Sequence, residues 1–323
     1  MTHLARVSPE RAVRALAWLA DSSTADALLV AELCGEGALL GAFQAAGRSG
    51  LPGEIRGPCG GRSARLGEGI VLAAAVVEEL AGWLPGDDVA QLSGARVLNR
   101  LARGVLAGLT QIGVAASYPG RDFVSVAGRR VVQLSLGRGA AGALVFQGVC
   151  GNARAFATEE PAPEFPGLPP LPEAAPLGAD PARLAAALAE GFARRFGLSP
   201  EPAELSAGEL RALDAVELAA VDEPELAELH SGGPVATPIG RLEAHVRLRS
   251  DGALERVRLR GDWIASRAAV RALEEALAGR RPEAADTLEL CARWLAAPTN
   301  LAVGVPDARL VALALHKSAS AAA

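Results

Sequence analysis

Two stretches carry residue types spaced for chemistry on an anion. In RGPCGGRSARLGEG, residues 56–69, Arg56 and Arg62 flank the pair Gly60-Gly61. Guanidiniums make charge-assisted hydrogen bonds to carboxylate and phosphate oxygens. Glycines let backbone N–H groups approach a ligand where a Cβ would intervene. The same residues also suit a tight turn between strands with solvated arginines. In GRDFVSVAGRRVVQLSLG, residues 120–137, two strand-like runs, Phe123 to Val126 and Val131 to Leu136, close through an Ala-Gly turn. Asp122 opens this hairpin, and its turn delivers Arg129 and Arg130.

The composition narrows what these residues can serve. The chain has 323 residues, 50% hydrophobic and 21% charged, enough for one large domain and a smaller one. A net charge of −5 gives no global field for nucleic acid, so any basic patch must be local. Cys34, Cys59, Cys150 and Cys291 show no CxxC spacing, and His3, His230, His245 and His316 are equally scattered, so no protein-held metal site is expected. Cys59, after Pro58 in the glycine-rich loop, is the one thiol placed for reactivity; the bland reading for all four is a small buried hydrophobe. The N-terminal run mixes Arg, Glu and Asp into its apolar residues, and Ile70 to Val77 is too short to cross a bilayer. The expectation is a reduced, cytoplasmic protein that binds neither membrane nor nucleic acid. Of 32 basic residues only Lys317 is lysine.

The elements that must hold these residues follow from periodicity. Ala12, Leu16, Leu19 and Ala20 share a helical face, and Ala25 to Leu33 reads as that helix resuming after a break. Ala38 to Phe43 reads as a short strand ending in Gln44, Ile70 to Leu80 as a buried run, Asn99 to Ile112 as an amphipathic helix, and Ala143 to Val149 as a strand. Residues 158–180 hold seven prolines and read as an extended surface connection excluded from the core. Pro181 to Phe196 reads as a helix and Ser206 to Leu229 as acidic helical segments. Leu242 to Arg249 and Leu254 to Arg260 form a hairpin around Ser-Asp-Gly, and period two places Arg247, Arg249, Arg256, Arg258 and Arg260 on one face. Helices are expected over 266–277 and 284–295. Tight turns between neighbouring strands favour an α+β fold, with a mixed or antiparallel sheet flanked by helices. The expected division is a large domain over 1–234, a small α+β accessory domain over 235–317, and a disordered tail over 318–323.

In this order the pieces resemble the lipoate-protein ligase A family, whose catalytic domain is shared with biotin protein ligases. The resemblance runs with gaps from about Ala38 to about Gly279. It is carried by LGAFQ (40–44), the Arg56–Gly69 loop, the Asn99–Ile112 helix, the GRDFVSVAGRR hairpin, and GRLEAHVRLRSDGALERVRLRGDWIA (240–265). It implies ATP with Mg, and lipoate or octanoate as the acid. An acyl-adenylate would form and pass to a lysine of a lipoyl domain. It also implies ligand-binding roles for Arg56, Gly60, Gly61, Arg62 and Asp122.

Arg130 stands at the family's catalytic-lysine position, Arg121 replaces the asparagine that precedes Asp122, and Gln133 replaces a glycine. Arginine keeps the charge but replaces a compact point donor by a wide planar fork. Three readings therefore stand: an ATP-dependent ligase or acyltransferase, a non-catalytic homologue acting as an acyl-binding or regulatory subunit, and a scaffold without ligand. For the transferase form, neither Cys59 nor Cys150 matches a thiol position. The two loops are expected to converge, with Arg130 facing the Gly60-Gly61 turn at a pocket whose inner end is apolar. Between Ile239 and Arg281 ten arginines stand against six acids, whereas Pro181 to Gly232 holds four basic residues against ten acidic. The arginine strip reads either as a solvated sheet face paired with those acids or as a dock for an acidic lipoyl acceptor domain.

Overall fold

The computed structural model describes residues 2–22, 25–47, 49–158, 164–199 and 205–322. Strand β1 (Thr2–Val7) precedes helix α1 (Pro9–Ser22), and β2 (Ala27–Leu33), β3 (Glu36–Leu40), β4 (Glu54–Arg56), β5 (Ala64–Gly67) and β6 (Ile70–Val77) follow. The short helix α2 (Leu80–Trp83) and the long α3 (Gly94–Gln111) lead to β7 (Ala116–Ser117), β8 (Phe123–Val126), β9 (Arg129–Arg138) and β10 (Leu144–Gly151). After α4 (Pro181–Phe196) and α5 (Ala207–Asp214) come β11 (His230–Ser231), β12 (Val235–Thr237), β13 (Gly240–Leu248) and β14 (Leu254–Gly261). Helices α6 (Arg267–Leu277), α7 (Ala285–Ala296) and α8 (Ala308–Ala322) close the chain.

The main sheet has seven strands in the order β1-β2-β6-β10-β9-β8-β7. Only β1 and β2 run parallel; the other neighbours are antiparallel. Its centre, β6 and β10, is buried on both faces, which suits the unbroken apolar run Ile70 to Val77. Helices α3 and α4 cover one face through Leu101, Val105, Leu188 and Phe192. On the other face α1 sets Ala15, Leu16 and Leu19 against Leu29, Ala74 and Val76. The α3–α4 crossing is glycine-lined: a Cβ on Gly191 would fall 2.3 Å from the backbone nitrogen of Gly108. A small sheet, β4-β3-β5, carries the first candidate loop. A third sheet joins β11, β12 and β14 to β13, and α6, α7 and α8 share a separate core with it around Trp263. The fold is α+β with a mixed sheet flanked by helices, as the patterning implied. No helix among the described residues is long and apolar enough to cross a membrane.

Four local expectations change. Residues 27–33 form strand β2 rather than a resumed helix, because ALLVAEL is apolar on both faces and finds ladder partners in β1 and β6. The Pro-rich connection enters the core in part: Ala175 is buried and Leu177 packs on the main core, and its non-proline groups supply the hydrogen bonds that proline lacks. Its residues 159–163 lie outside the described residues. The acidic stretch 206–229 is helical only at α5 and in one 3₁₀ turn, Pro224–Glu228. Residues 318–322 continue α8 rather than forming a disordered tail. Buried Ser318 donates to the Ala244 carbonyl and accepts from the Gly232 N–H, so the small residues seat the helix on β13; Ala323 lies outside the described residues.

Candidate functional site

The hairpin of β8 and β9 closes with Ala127 at φ 48° and Gly128 at φ 76°, the two positive φ values of a type I′ turn. Strand β9 extends past the end of its pairing with β10 at Val132, so the Arg130 backbone meets a different partner. The Arg130 N–H donates to the Glu173 carbonyl at 2.9 Å, and the Ala175 N–H donates to the Arg130 carbonyl at 2.8 Å. The Pro-rich connection thus lies along the sheet edge at the candidate residue.

The first loop reaches the hairpin through Arg62. Its Nε donates to Asp122 Oδ2 at 2.8 Å, and Gln133 Nε2 donates to the Arg62 carbonyl at 2.5 Å. Asp122 is fully buried. Arg62 Nη2, Arg121 Nε and Asp122 Oδ1 are all buried without a hydrogen-bond partner among the described residues. Arg121 donates to the Pro169 carbonyl at 3.1 Å and to the Pro238 carbonyl, and its guanidinium lies over the Phe123 ring. Arg130 is buried, donates through Nε to the Pro172 carbonyl at 2.5 Å, and stacks its guanidinium 5.7 Å from the Phe156 ring centroid.

The electrostatics follow from this crowding. Burial pushes the Arg130 guanidinium down to about 10, and the positive charge of Arg62 adds to the effect. Burial also lowers Arg121, and it raises the Tyr118 phenol, helped by the Asp122 charge. Three guanidiniums share one carboxylate, leaving a surplus of positive charge and orphaned donors. Such a site can take oxygens of a phosphate or carboxylate.

The structure brings together Arg62, Asp122 and Arg130, with Arg121 and Gln133, and separates them from the other candidates. The Gly60 N–H donates to the Leu136 carbonyl at 3.0 Å, and the Gly61 N–H to the Trp263 carbonyl at 2.9 Å. The amides that the loop offers to a ligand are therefore engaged by the protein. A Cβ on Gly60 would fall 2.7 Å from the Trp263 carbonyl oxygen, so the glycine serves an approach of chain to chain. The glycine pair lies opposite residues 134–137 of β9, whereas the Arg130 side chain meets Pro172 and Phe156; Arg130 does not cap that turn. Arg56 is a buried tie. It donates to the carbonyls of Gln44, Ala220 and Val221 at 2.5, 2.9 and 2.8 Å and pairs with Glu223 at 3.3 Å. Cys59 is buried and its thiol is pushed up to about 12, which removes it as a nucleophile.

Sequence reasoning missed Phe156 and the backbone of 172–175. The one available signal was Pro-rich chain of the right length after β10. Among the described residues no three His, Cys, Asp or Glu side chains cluster to hold a metal. Gln44, from LGAFQ, bridges outward instead: it accepts from the Gly41 N–H at 2.8 Å and donates to Asp262 at 2.7 Å.

No protein-family model matches the sequence, and no curated protein matches it significantly. Solved structures do match. LipL1 of Plasmodium falciparum, determined in complex with lipoate, is similar at TM-score 0.55 and 10% identity, covering 81% of this chain and 84% of that one. A bi-partite lipoate protein ligase from Thermoplasma acidophilum matches at TM-score 0.48 and 13% identity over 66% of this chain and 89% of its own. The biotin protein ligase of Leishmania major in complex with biotinyl-5-AMP matches at TM-score 0.33 and 16% identity over 80% and 94%. At 10% identity the likeness to LipL1 speaks for architecture alone: the chain is built on the biotin/lipoate ligase fold.

Proposed function

We propose that this chain handles a medium-chain acid as its adenylate, activating lipoate or octanoate with ATP and passing the acyl group to a lysine of a lipoyl domain. The observation that supports it most is the surplus of buried guanidinium around Asp122, with donors of Arg62 and Arg121 left without partners. A carboxylate oxygen would attack the α-phosphorus and pyrophosphate would leave; the acceptor amine would then attack the acyl carbonyl and AMP would leave. Arg62, Arg121 and Arg130 would bind the phosphate and acyl oxygens and hold them in a site shielded from water. Asp122 Oδ1, buried and unpartnered, suits a magnesium ion carried in by the nucleotide, which would neutralise phosphate charge. Lipoate is the ligand with which LipL1 was determined.

A second reading, a non-catalytic acyl-binding or regulatory subunit, draws on a different observation. The Arg130 Nε is already bonded to Pro172, and the Gly60 and Gly61 amides are engaged within the fold. The division into a domain over 1–234 and an accessory domain over 235–317 belongs to the same proposal. So does docking of an acidic acceptor on Arg247, Arg249, Arg256, Arg258 and Arg260.

Lipoate- and ATP-dependent pyrophosphate exchange separates the two readings. Exchange that is abolished in Arg62→Ala supports the ligase. Absence of exchange together with binding of a non-hydrolysable lipoyl-adenylate analogue supports the binding subunit. Neither exchange nor analogue binding by the folded protein removes the acyl ligand altogether.

A further inference from the structure

The outer face of the β13–β14 hairpin is a ladder. Arg247 stands opposite Arg256, His245 opposite Arg258, and Glu243 opposite Arg260. A ladder of carboxylates from the segment before β11 lies across it. Glu223 pairs with Arg260 and with Arg56; Glu225 lies 3.8 and 3.7 Å from Arg256 and Arg258; Glu228 lies 3.6 Å from Arg247. As the chain runs from 223 to 228, its acids step from Arg260 through Arg258 and Arg256 of β14 to Arg247 of β13. The backbone is held as well, since Arg56 takes the carbonyls of Ala220 and Val221. The chain's own 219–228, a stretch ending in the 3₁₀ turn Pro224–Glu228, is thus held by guanidiniums on both side-chain carboxylates and main-chain oxygens.

This basic face also has capacity that the segment does not use. A cavity of about 480 Å³ lies between it and the segment: its five arginines, Arg267 and Arg271 among them, face five acids, three of which (Asp222, Glu223 and Glu225) belong to the segment. Arg267 is half-buried, and its guanidinium donates to the Gly57 carbonyl at 3.0 Å without an ion pair. Arg271 is exposed, with no hydrogen bond or ion pair among the described residues. Against these, Glu274 is buried and already committed to the Leu259 N–H and to Arg258 and Arg260. A second acidic segment would therefore find the cavity's arginines available only as Asp222, Glu223 and Glu225 of the first move out.

We infer that the arginine ladder and its cavity form a binding site for an acidic protein segment, and that residues 219–228 occupy it in cis and must yield for a partner to dock. The inference rests on the proposed docking of an acidic acceptor on this face; because peptide binding needs neither ATP nor an acyl group, its failure is distinguishable from failure of pyrophosphate exchange. The ion pairs at Glu225 and Glu228 are partly exposed and long, which makes the segment displaceable at modest cost.

The probe is a fluorescently labelled synthetic peptide with the sequence of residues 219–228, read by anisotropy with the full-length protein. Glu223→Gln/Glu225→Gln empties two rungs of the ladder and is expected to bind the peptide about tenfold more tightly than the native protein at low salt. The gain should vanish as salt rises, and also on adding Arg256→Gln/Arg258→Gln. Equal affinity of native and variant proteins, or a gain that survives loss of the two arginines, overturns the inference. Because Glu223 also neutralises buried Arg56, the double variant carries a folding cost of its own; Glu225→Gln alone leaves that pair intact and is expected to gain about threefold. No gain in that folded variant overturns the inference equally.

Discussion

The Arg62 guanidinium donates to a carboxylate that is wholly out of water, Asp122 Oδ2 at 2.8 Å, from a loop 60 residues earlier in the chain. With Arg121 and Arg130 close by, Asp122 is the single anion that makes the cluster tolerable. Asp122→Asn keeps the shape and removes the charge, leaving buried cations uncompensated. It should cost about 3–5 kcal/mol in chemical denaturation. The added replacement Arg62→Met should recover part of that loss, and a double-mutant cycle on the pair reads the coupling directly.

Arg130 is held by Pro172 and Phe156 yet lies beside Arg62, so its charge should matter more to a ligand than to the fold. Arg130→Ala is expected to weaken binding of a lipoyl-adenylate analogue by about ten- to a hundredfold, the loss of a charge-assisted contact. Arg130→Lys discriminates the two readings of the site. A working, arginine-adapted ligase should lose exchange activity, whereas a non-catalytic site should show exchange only in the lysine variant. Calorimetry with the analogue and the exchange assay give the two numbers.

Two close approaches of backbone to backbone depend on a missing Cβ. Gly60→Ala would press on the Trp263 carbonyl and Gly191→Ala on the Gly108 nitrogen. Each should destabilise by about 1–3 kcal/mol. Thermal melting of the first should report loosening of residues 261–265 by hydrogen exchange, and that of the second a loosened α3–α4 pair.

Burial pushes the thiols of Cys59 and Cys150 up to about 12 and that of Cys291 up to about 11, from an ordinary value of 9.0. These groups stay protonated in the native state while the unfolded chain loses their protons. Their contribution to stability is complete below pH 9 and is lost as pH rises from 9 through 12. Denaturation midpoints should fall across that window, and replacing Cys59 and Cys150 by alanine should flatten the fall. In the native protein at neutral pH a thiol reagent should modify Cys34, which is only half-buried, well before the other three.

The two loops were placed together by the family resemblance that both carry, and Arg62 does reach Asp122. It assigned the glycines to the wrong neighbour. Absence of a Cβ serves a ligand and a second backbone equally well, and only the fold shows that Trp263 and Leu136 claim the amides. Arg56 misled for a related reason: a guanidinium that could hold phosphate can equally hold three carbonyls. Strand β2 was hidden because ALLVAEL satisfies no single period, being covered on both faces. The Pro-rich connection was legible as extended chain but not as a partner of β9, since the pairing uses only the backbone of Glu173 and Ala175 between its prolines. Period two gave four of the five ladder arginines, Arg247, Arg256, Arg258 and Arg260, while Arg249 lies at the turn beside Asp251; the acidic excess upstream was also legible. Their contact needed the path of the chain between α5 and β11.

The Gly61 N–H waits for a carbonyl 202 positions downstream, and Gln44 for a carboxylate 218 positions downstream. During synthesis, the small sheet β4-β3-β5 leaves the ribosome long before Asp262 and Trp263 exist. The loop that carries Arg62 meets its partners in two stages, first Asp122, Gln133 and Leu136 of the main sheet, and only later Trp263. A chain cut between residues 152 and 260 would keep the seven strands of the main sheet and lose the Gly61–Trp263 and Gln44–Asp262 ties. The last quarter of the polypeptide thus adds the final ties to a loop whose arginine–aspartate pair is complete once residue 133 has been made.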